Sequence, residues 1–175
     1  PDLKNDDLDK IRAKVGFLFQ SNALYDSMTV RENLEFPLRR HTKKFGVIKD
    51  TTPLVMEVLE SVGLAHAIDL MPNELSGGMK RRIALARTLI LKPKIILYDE
   101  PTTGLDPITS KEIVLLMNSV QEKYNTSSII ITHDVDCAKV IANRMILLID
   151  GINYIEGTFE TLASSKDPKV QAFFK

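Results

Sequence analysis

The sequence predicts an α/β fold, a mostly parallel sheet flanked by helices, from three kinds of stretch. Ile95-Ile96-Leu97-Tyr98 is an uninterrupted apolar run, the pattern of a buried parallel strand, and it ends in the carboxylates Asp99 and Glu100. Val15 to Gln20 and Ser128 to Thr132 are short runs of the same kind, rich in β-branched and aromatic residues. Between them lie segments whose apolar residues recur at helical spacing, Leu54 to Val62 and Ile108 to Tyr124. Open α/β sheets bind ligands at the carboxyl ends of their strands, where the two acids stand.

The 175 residues suit about one domain, and an apolar share of 44% suffices for a sizeable core. The 23 basic and 23 acidic residues cancel, so no whole-chain field favours nucleic acid and no nucleic-acid partner is expected. Cys137 is the single cysteine, which excludes an internal disulfide and fits a reducing compartment. The longest apolar runs, Ile129 to Ile131 and Met145 to Ile149, fall far short of a membrane span, and PDLKNDDLDK is too polar for a signal peptide. A role at a membrane is therefore expected to run through partners, from the cytoplasmic side.

Taken in order, residues 1–10 are acidic and predict a loop or a short helix ending before Ile11. Gln20 closes the first strand and by itself reads as an ordinary polar strand end. Thr29 and Glu32 make a T-x-x-E capping box, which predicts a helix from near Val30 into the Pro37 region. RRHTKKFGVIK, Arg39 to Lys49, is the most basic segment; it reads either as a solvated surface or as a contact for a membrane-embedded partner or anionic headgroups, with His41 on the surface. Thr52-Pro53 predicts an N-cap with proline at N1, and the stripe Leu54, Val55, Val58, Leu59 and Val62 predicts a core-facing helix up to Gly63. His66 and Met71 read as packing or surface residues.

Ser76-Gly77-Gly78 then opens a helix. Two glycines let backbone approach a ligand closely, and the first-turn N–H groups lack helical partners, so such a start attracts anions. Ile83, Leu85, Ala86, Leu89 and Ile90 mark the apolar side of this helix up to Leu91, and Pro93 ends it. Lys80, Arg81, Arg82 and Arg87 read as solvated or paired with carboxylates, with direct nucleotide contact as the alternative. After Asp106-Pro107 come the long helix and the strand that ends at His133, with Cys137 as a core residue of a short helix beyond it. Met145 to Ile149, Asp150-Gly151 and Asn153 to Ile155 predict a hairpin with a D-G turn. Thr158 caps a further helix, and Asp167-Pro168 opens a last one to Phe174.

These stretches carry a resemblance. LSGGM at 75–79 is similar to the signature motif of ATP-binding cassette (ABC) ATPases, IILYDE at 95–100 to their Walker B strand, and TTGLDP at 102–107 to their D-loop. GFLFQ ending at Gln20 resembles the Q-loop, and IIITHD containing His133 the H-loop, so five motifs fall in the family's order. SNALYDSMTVRENLEFPL at 21–38 narrows the likeness to the ATPases of Mla-type phospholipid transport systems, which work with Mce-domain proteins. Asn22 stands where that pattern has glycine, and asparagine tolerates the left-handed conformation such a turn needs. Met79 departs from the commoner glutamine of the signature but suits the Mla-type relatives. The interval between Gln20 and Leu75 holds helices and no heptads, unlike the coiled-coil insertions of chromosome-maintenance relatives.

The resemblance implies a partial RecA-like P-loop NTPase core with an inserted α-helical subdomain. Residues 1–20 would be the remnant of the N-terminal core up to the Q-loop, 21–91 the helical subdomain with the signature helix, and 92–175 the C-terminal part of the core. It implies ATP and Mg²⁺ as ligands: Asp99 and Gln20 at the metal, Glu100 as general base or water-positioning group, and His133 and Gln20 around the transferred phosphoryl group. Ser76, Gly77 and Gly78 would act on the nucleotide of a second ATPase subunit, with Asp106 coupling the two sites. The implied partners are that second copy, a transmembrane permease and, indirectly, an Mce-type substrate-binding protein. The implied place is cytoplasmic, peripheral on the inner face of the plasma membrane, and the DPKVQAFF tail would help hold the dimer or a regulatory partner.

One departure stands out: no glycine of the eight precedes a lysine, so the G-x-x-x-x-G-K-[ST] loop that cradles the phosphates in this family is absent from the sequence. The expectation is a chain that begins after that loop, binds ATP poorly and hydrolyses it hardly at all, since each lost charge-assisted bond is worth about 1.5 to 3 kcal/mol. A sheet edge and apolar surface would lie uncovered. The alternatives are the ATPase of another ABC system, such as lipoprotein release or amino-acid uptake, and a non-catalytic subunit that donates only its signature motif to a complete partner.

Overall fold

Three parallel strands, β1 (Val15–Leu18), β2 (Ile95–Asp99) and β3 (Ser127–Ile131), lie side by side in that order in a computed structural model that describes residues 5–41 and 48–174. Val15 stands opposite Ile95, and Ile95 opposite Ser127, so the carboxyl ends of all three strands share one edge. They belong to a first unit, Pro1–Ile131; Thr132–Lys175 forms a second.

The described helices of the first unit are α1 (Asn5–Arg12), α2 (Val30–Arg40), α3 (Thr52–Ser61), α4 (Gly77–Leu89) and α5 (Pro107–Tyr124). α1 runs past its expected end before Ile11 to Arg12, whose guanidinium reaches the Asp9 carboxylate at 3.4 Å. α2 starts as its capping box dictates: the Thr29 hydroxyl accepts from the Glu32 amide at 3.2 Å and the Glu32 carboxylate accepts from the Thr29 amide at 2.8 Å. α3 begins one residue earlier than the T-P pattern predicts. The Asp50 carboxylate accepts from the Thr52 amide at 2.9 Å, so Thr52 is already helical, while the Thr51 hydroxyl donates to Glu35 at 2.7 Å. Of the basic segment 39–49, residues 42–47 lie outside the described residues.

α4 is the hub of this unit. Ile83, Leu85, Ala86, Leu89 and Ile90 are all buried, as are Leu34 of α2, Val55 and Leu59 of α3, and Ile113 and Met117 of α5. Gly16 lets α4 lie against β1, because a Cβ there would stand 2.4 Å from Thr88 Cγ2 and 3.2 Å from Pro93 Cγ. The Thr88 hydroxyl donates across the same contact to the Phe17 carbonyl at 3.2 Å. Leu18, Ile96 and Tyr98 are buried, whereas Phe17, Ile95, Ile129 and Ile131 remain exposed. Phe17 pairs with Leu97 and Leu97 with Ile129, so an apolar row with exposed ends crosses this side of the sheet.

The second unit holds α6 (Val135–Ile141), the antiparallel hairpin β4 (Met145–Ile149) and β5 (Ile152–Gly157), α7 (Phe159–Ala163) and α8 (Pro168–Gln171). Asp150 and Gly151 have φ of 52° and 78°, the two left-handed residues that a tight D-G hairpin turn requires. α8 is shorter than expected, ending at Gln171. Cys137, Leu162 and Val170 are its buried residues in the helices. Among the described residues no helix is long and apolar enough to cross a membrane.

Candidate functional site

Two helix starts meet in one cavity of the first unit. Ser76, extended at φ −66° and ψ 166°, caps α4 by accepting from the Met79 amide at 3.2 Å. Asp106 caps α5: its carboxylate accepts from the amides of Ile108 and Thr109, both at 3.0 Å, and from the Thr109 hydroxyl at 2.5 Å. Those bonds, the Thr109 hydroxyl foremost, hold the Asp106 carboxyl below its ordinary range. Ser76, Gly77, Gly78 and Asp106 line the cavity, about 460 Å³ in volume, together with Met79, Arg82 and Glu112. Both helices direct the positive ends of their dipoles toward it. Arg82 is committed at its rim, donating to Glu112 at 2.8 Å and to the Val62 carbonyl at 3.2 Å.

The carboxyl edge of the sheet carries the acids. Asp99 is the last residue of β2, opposite Ile131. Glu100 follows with φ 47°, a left-handed conformation that costs a non-glycine residue about 1–2 kcal/mol. It is held there by its amide, which donates to the Ile131 carbonyl at 2.9 Å, and by its carboxylate, which accepts from the Thr103 hydroxyl at 2.9 Å. Strain of this kind clusters at functional sites. Gln20 is exposed, beyond the end of β1 at the same edge. His133, exposed, stands in the second unit, just before Asp134, whose carboxylate caps α6 by accepting from the Cys137 amide at 2.9 Å.

This donor set fits a magnesium nucleotide. Mg²⁺ is commonly held by one or two carboxylates with phosphate oxygens completing its shell, rather than by a dedicated protein cage. Asp99, at the end of β2, supplies a hard oxygen donor of that type, and Gln20 an amide oxygen beyond the end of β1; among the described residues no group of three or more His, Cys, Asp and Glu is placed to hold a metal ion by itself. Phosphate oxygens suit the helix start at Ser76-Gly77-Gly78.

Arg82 pairs with the Glu112 carboxylate as expected, whereas Arg81 and Arg87 depart from the expected pairing with carboxylates or solvent. Arg81 is buried and donates to the carbonyls of Phe19 at 3.0 Å and Thr103 at 3.3 Å. Arg87 donates to the carbonyls of Asn22 at 3.0 Å and Ala23 at 2.7 Å, and its guanidinium lies 6.0 Å from the Tyr25 ring centre. Asn22 and Ala23 both have positive φ, 63° and 49°, so Arg87 clamps a strained turn directly after Gln20. The sequence signal for Arg81 was its spacing with Leu85 and Thr88, which sets it on the buried side of the helix. Asn33, also buried and unsuspected, fastens the same loop: its amide donates to the carbonyls of Tyr25, Met28 and Thr29, and its oxygen accepts from the Tyr25 amide at 2.8 Å.

A family model described as ABC transporter matches residues 1–103. The chain belongs to the ABC transporter family. Within it, the intermembrane phospholipid transport system ATP-binding protein MlaF of Haemophilus influenzae is 42% identical over 174 residues, 99% of this chain and 65% of that protein. MlaF of Escherichia coli K12 is 39% identical over 173 residues, 99% of this chain and 64% of that one. A probable ribonucleotide transport ATP-binding protein of Mycobacterium leprae is 40% identical over 168 residues, 95% of this chain and 48% of its own length. Among solved ABC structures, a dimeric ATP-binding cassette in a post-hydrolysis state, bound to ADP and Pi, matches with TM-score 0.77 and 36% identity over 90% of this chain and 68% of that one. The α/β fold is thus that of an ABC cassette, and the chain spans somewhat less than two thirds of either MlaF relative.

Proposed function

We propose that this chain is part of the ATP-binding subunit of an ABC transporter that couples ATP hydrolysis to phospholipid transport across or between membranes. The observation that carries the reading is the pair at the end of β2: Asp99 on the sheet edge and Glu100 held in a left-handed conformation beside it. ATP with Mg²⁺ would supply the transferable phosphoryl group and its counter-charge. Asp99 and Gln20 would hold the cation; Glu100 would take a proton from the attacking water or orient it; Gln20 and His133 would hydrogen-bond the water and the transferred group. Ser76 and the amides of Gly77 and Gly78 would bind phosphate oxygens of a second copy's nucleotide, and Asp106 would link the two sites. The division into 1–20, 21–91 and 92–175 belongs to the same reading.

The dimeric cassette with 36% identity supports a homodimer. An open groove of about 410 Å³ near Gln20, lined by Phe17, Phe19, Tyr25, Phe36, Arg40 and Arg87 among others, supports contact with a permease. An Mce-type protein would act through that permease, with the ATPase peripheral on the cytoplasmic side of the inner membrane. Phospholipid as cargo rests on the 42% identity to the H. influenzae protein. A second reading, ribonucleotide transport, has the 40% identity to the mycobacterial protein behind it.

The test is ATP turnover by the full-length gene product with its permease in vesicles. Glu100→Gln should lower kcat by on the order of a hundredfold or more while MgATP still binds. Parental turnover in that variant overturns the catalytic assignment, and stimulation by a ribonucleotide instead of phospholipid selects the second reading.

A further inference from the structure

The side chain that joins the separate parts of the candidate site is Arg81. It is only 3% exposed, and among the described residues no carboxylate pairs with it. Its guanidinium is held by two backbone carbonyls, and its Nε finds no hydrogen-bond partner among the described residues. A buried cation without a counter-ion is costly, and an apolar residue of similar length would fill the space more cheaply. Its donors, however, reach two distant loops at once. Phe19, bonded at 3.0 Å, immediately precedes Gln20. Thr103, bonded at 3.3 Å, is itself bonded to the Glu100 carboxylate through its hydroxyl at 2.9 Å. Arg81 also sits one turn into α4 from Gly77 and Gly78, so a small rotation of the helix start moves both carbonyl contacts together.

We propose that Arg81 is a positioning residue that sets Gln20 and Glu100 relative to each other and transmits a movement of the Ser76-Gly77-Gly78 helix start to both. The inference rests on the ATP-hydrolysing reading for its consequence, and on the geometry alone for the linkage. Arg87 is the internal comparison: it grips Asn22 and Ala23 but makes no bond to the 100–106 loop that accompanies these two. A lysine at 81 keeps the charge yet, as a single point donor, does not span two carbonyls set apart for a planar fork.

The experiment uses the full-length gene product with Arg81→Lys, Arg81→Met and Arg87→Lys, following amide hydrogen exchange in 19–25 and 100–106, thermal unfolding, and kcat and KM for MgATP. Arg81→Lys is expected to speed exchange in both segments and Arg87→Lys in 19–25 alone. In Arg81→Lys, kcat should fall on the order of tenfold to a hundredfold through misplacement of the site, with KM within about twofold of the parent. Parental exchange in both segments, parental kcat, or a kcat loss that merely follows the folded fraction overturns the proposal. Arg81→Met, which carries no charge, keeps the test decisive if lysine perturbs the fold: faster exchange in both segments of a folded methionine variant supports the linkage, and parental exchange refutes it. If the parent itself does not turn over ATP, the functional reading fails, and the exchange comparison alone decides the role of Arg81.

Discussion

A Cβ placed on Gly78 would stand 2.7 Å from Thr109 Cγ2, closer than such atoms approach in folded proteins. Thr109 has little freedom to yield, because its hydroxyl and amide are both bonded to Asp106. The second glycine of the helix start and the cap of α5 are therefore one packed unit. Gly78→Ala should destabilise the protein by about 1–3 kcal/mol through overpacking. At Gly77 the added Cβ meets Leu105 Cδ2 at 3.8 Å, an ordinary contact, so Gly77→Ala should be neutral within about 0.5 kcal/mol. Urea unfolding of the two variants checks the contrast; equal midpoints would refute it.

Asn33 carries the loop between Gln20 and α2. Replacing it by leucine removes a buried amide whose oxygen and nitrogen answer the Tyr25 amide and the carbonyls of Tyr25, Met28 and Thr29. A buried polar group left unpaired costs about 1–3 kcal/mol, so Asn33→Leu should lose about 3 kcal/mol or more despite its greater hydrophobicity. Denaturant unfolding reads this directly, and a loss below about 1 kcal/mol would mean that the loop re-forms its bonds elsewhere.

How much of this was legible in the sequence follows from which interactions leave a local mark. Capping boxes, D-G turns and apolar strands are written in adjacent residues, so the start of α2, the 150–151 turn and β2 appear where the sequence puts them. The partners of Arg81, Arg87 and Asn33 are main-chain carbonyls and, for Asn33, a main-chain amide as well, groups that nearly every residue possesses, so no residue type announces them. What did show was placement: Arg81 shares a helical side with Leu85 and Thr88, and Asn33 with Val30 and Leu34, polar residues standing on apolar stripes. The strain at Glu100 was equally silent, since φ is imposed there by the ladder bond to Ile131 and not by its neighbours in sequence.

Lys92, just beyond α4, has φ 49°. A lysine there bears the left-handed cost of about 1–2 kcal/mol that glycine avoids, and its ion pair with Glu57 at 3.1 Å is exposed and worth little. Lys92→Gly should raise stability by about 0.5–1 kcal/mol. Asn125, which ends α5 with φ 48°, is a residue type already suited to that conformation, so Asn125→Gly should change stability by only a few tenths of a kcal/mol. A thermal melt of each variant tests the ordering, and a larger gain at Asn125 than at Lys92 would reverse it.

Glu35 ties α2 to the start of α3. Its burial alone would push the carboxyl up, but the Thr51 hydroxyl, Arg39 and Arg31 together hold it below its ordinary value of 4.5. The Thr51 and Arg39 contacts are both 2.7 Å, and Arg31 stands at 3.9 Å. Because the folded state binds this proton less readily than the unfolded chain, the contribution is fully present above about pH 4.5 and is lost as pH falls through the lowered folded value. Glu35→Gln should therefore be less stable than the parent near neutrality and converge on it in acid. Thr51→Val removes the leading hydrogen bond, so it should shift the parent's loss of stability toward higher pH. Unfolding free energies measured from pH 7 down to about pH 3 separate the outcomes, and a difference between parent and Glu35→Gln that stays constant over that range would show that Glu35 acts by packing and not by its charge.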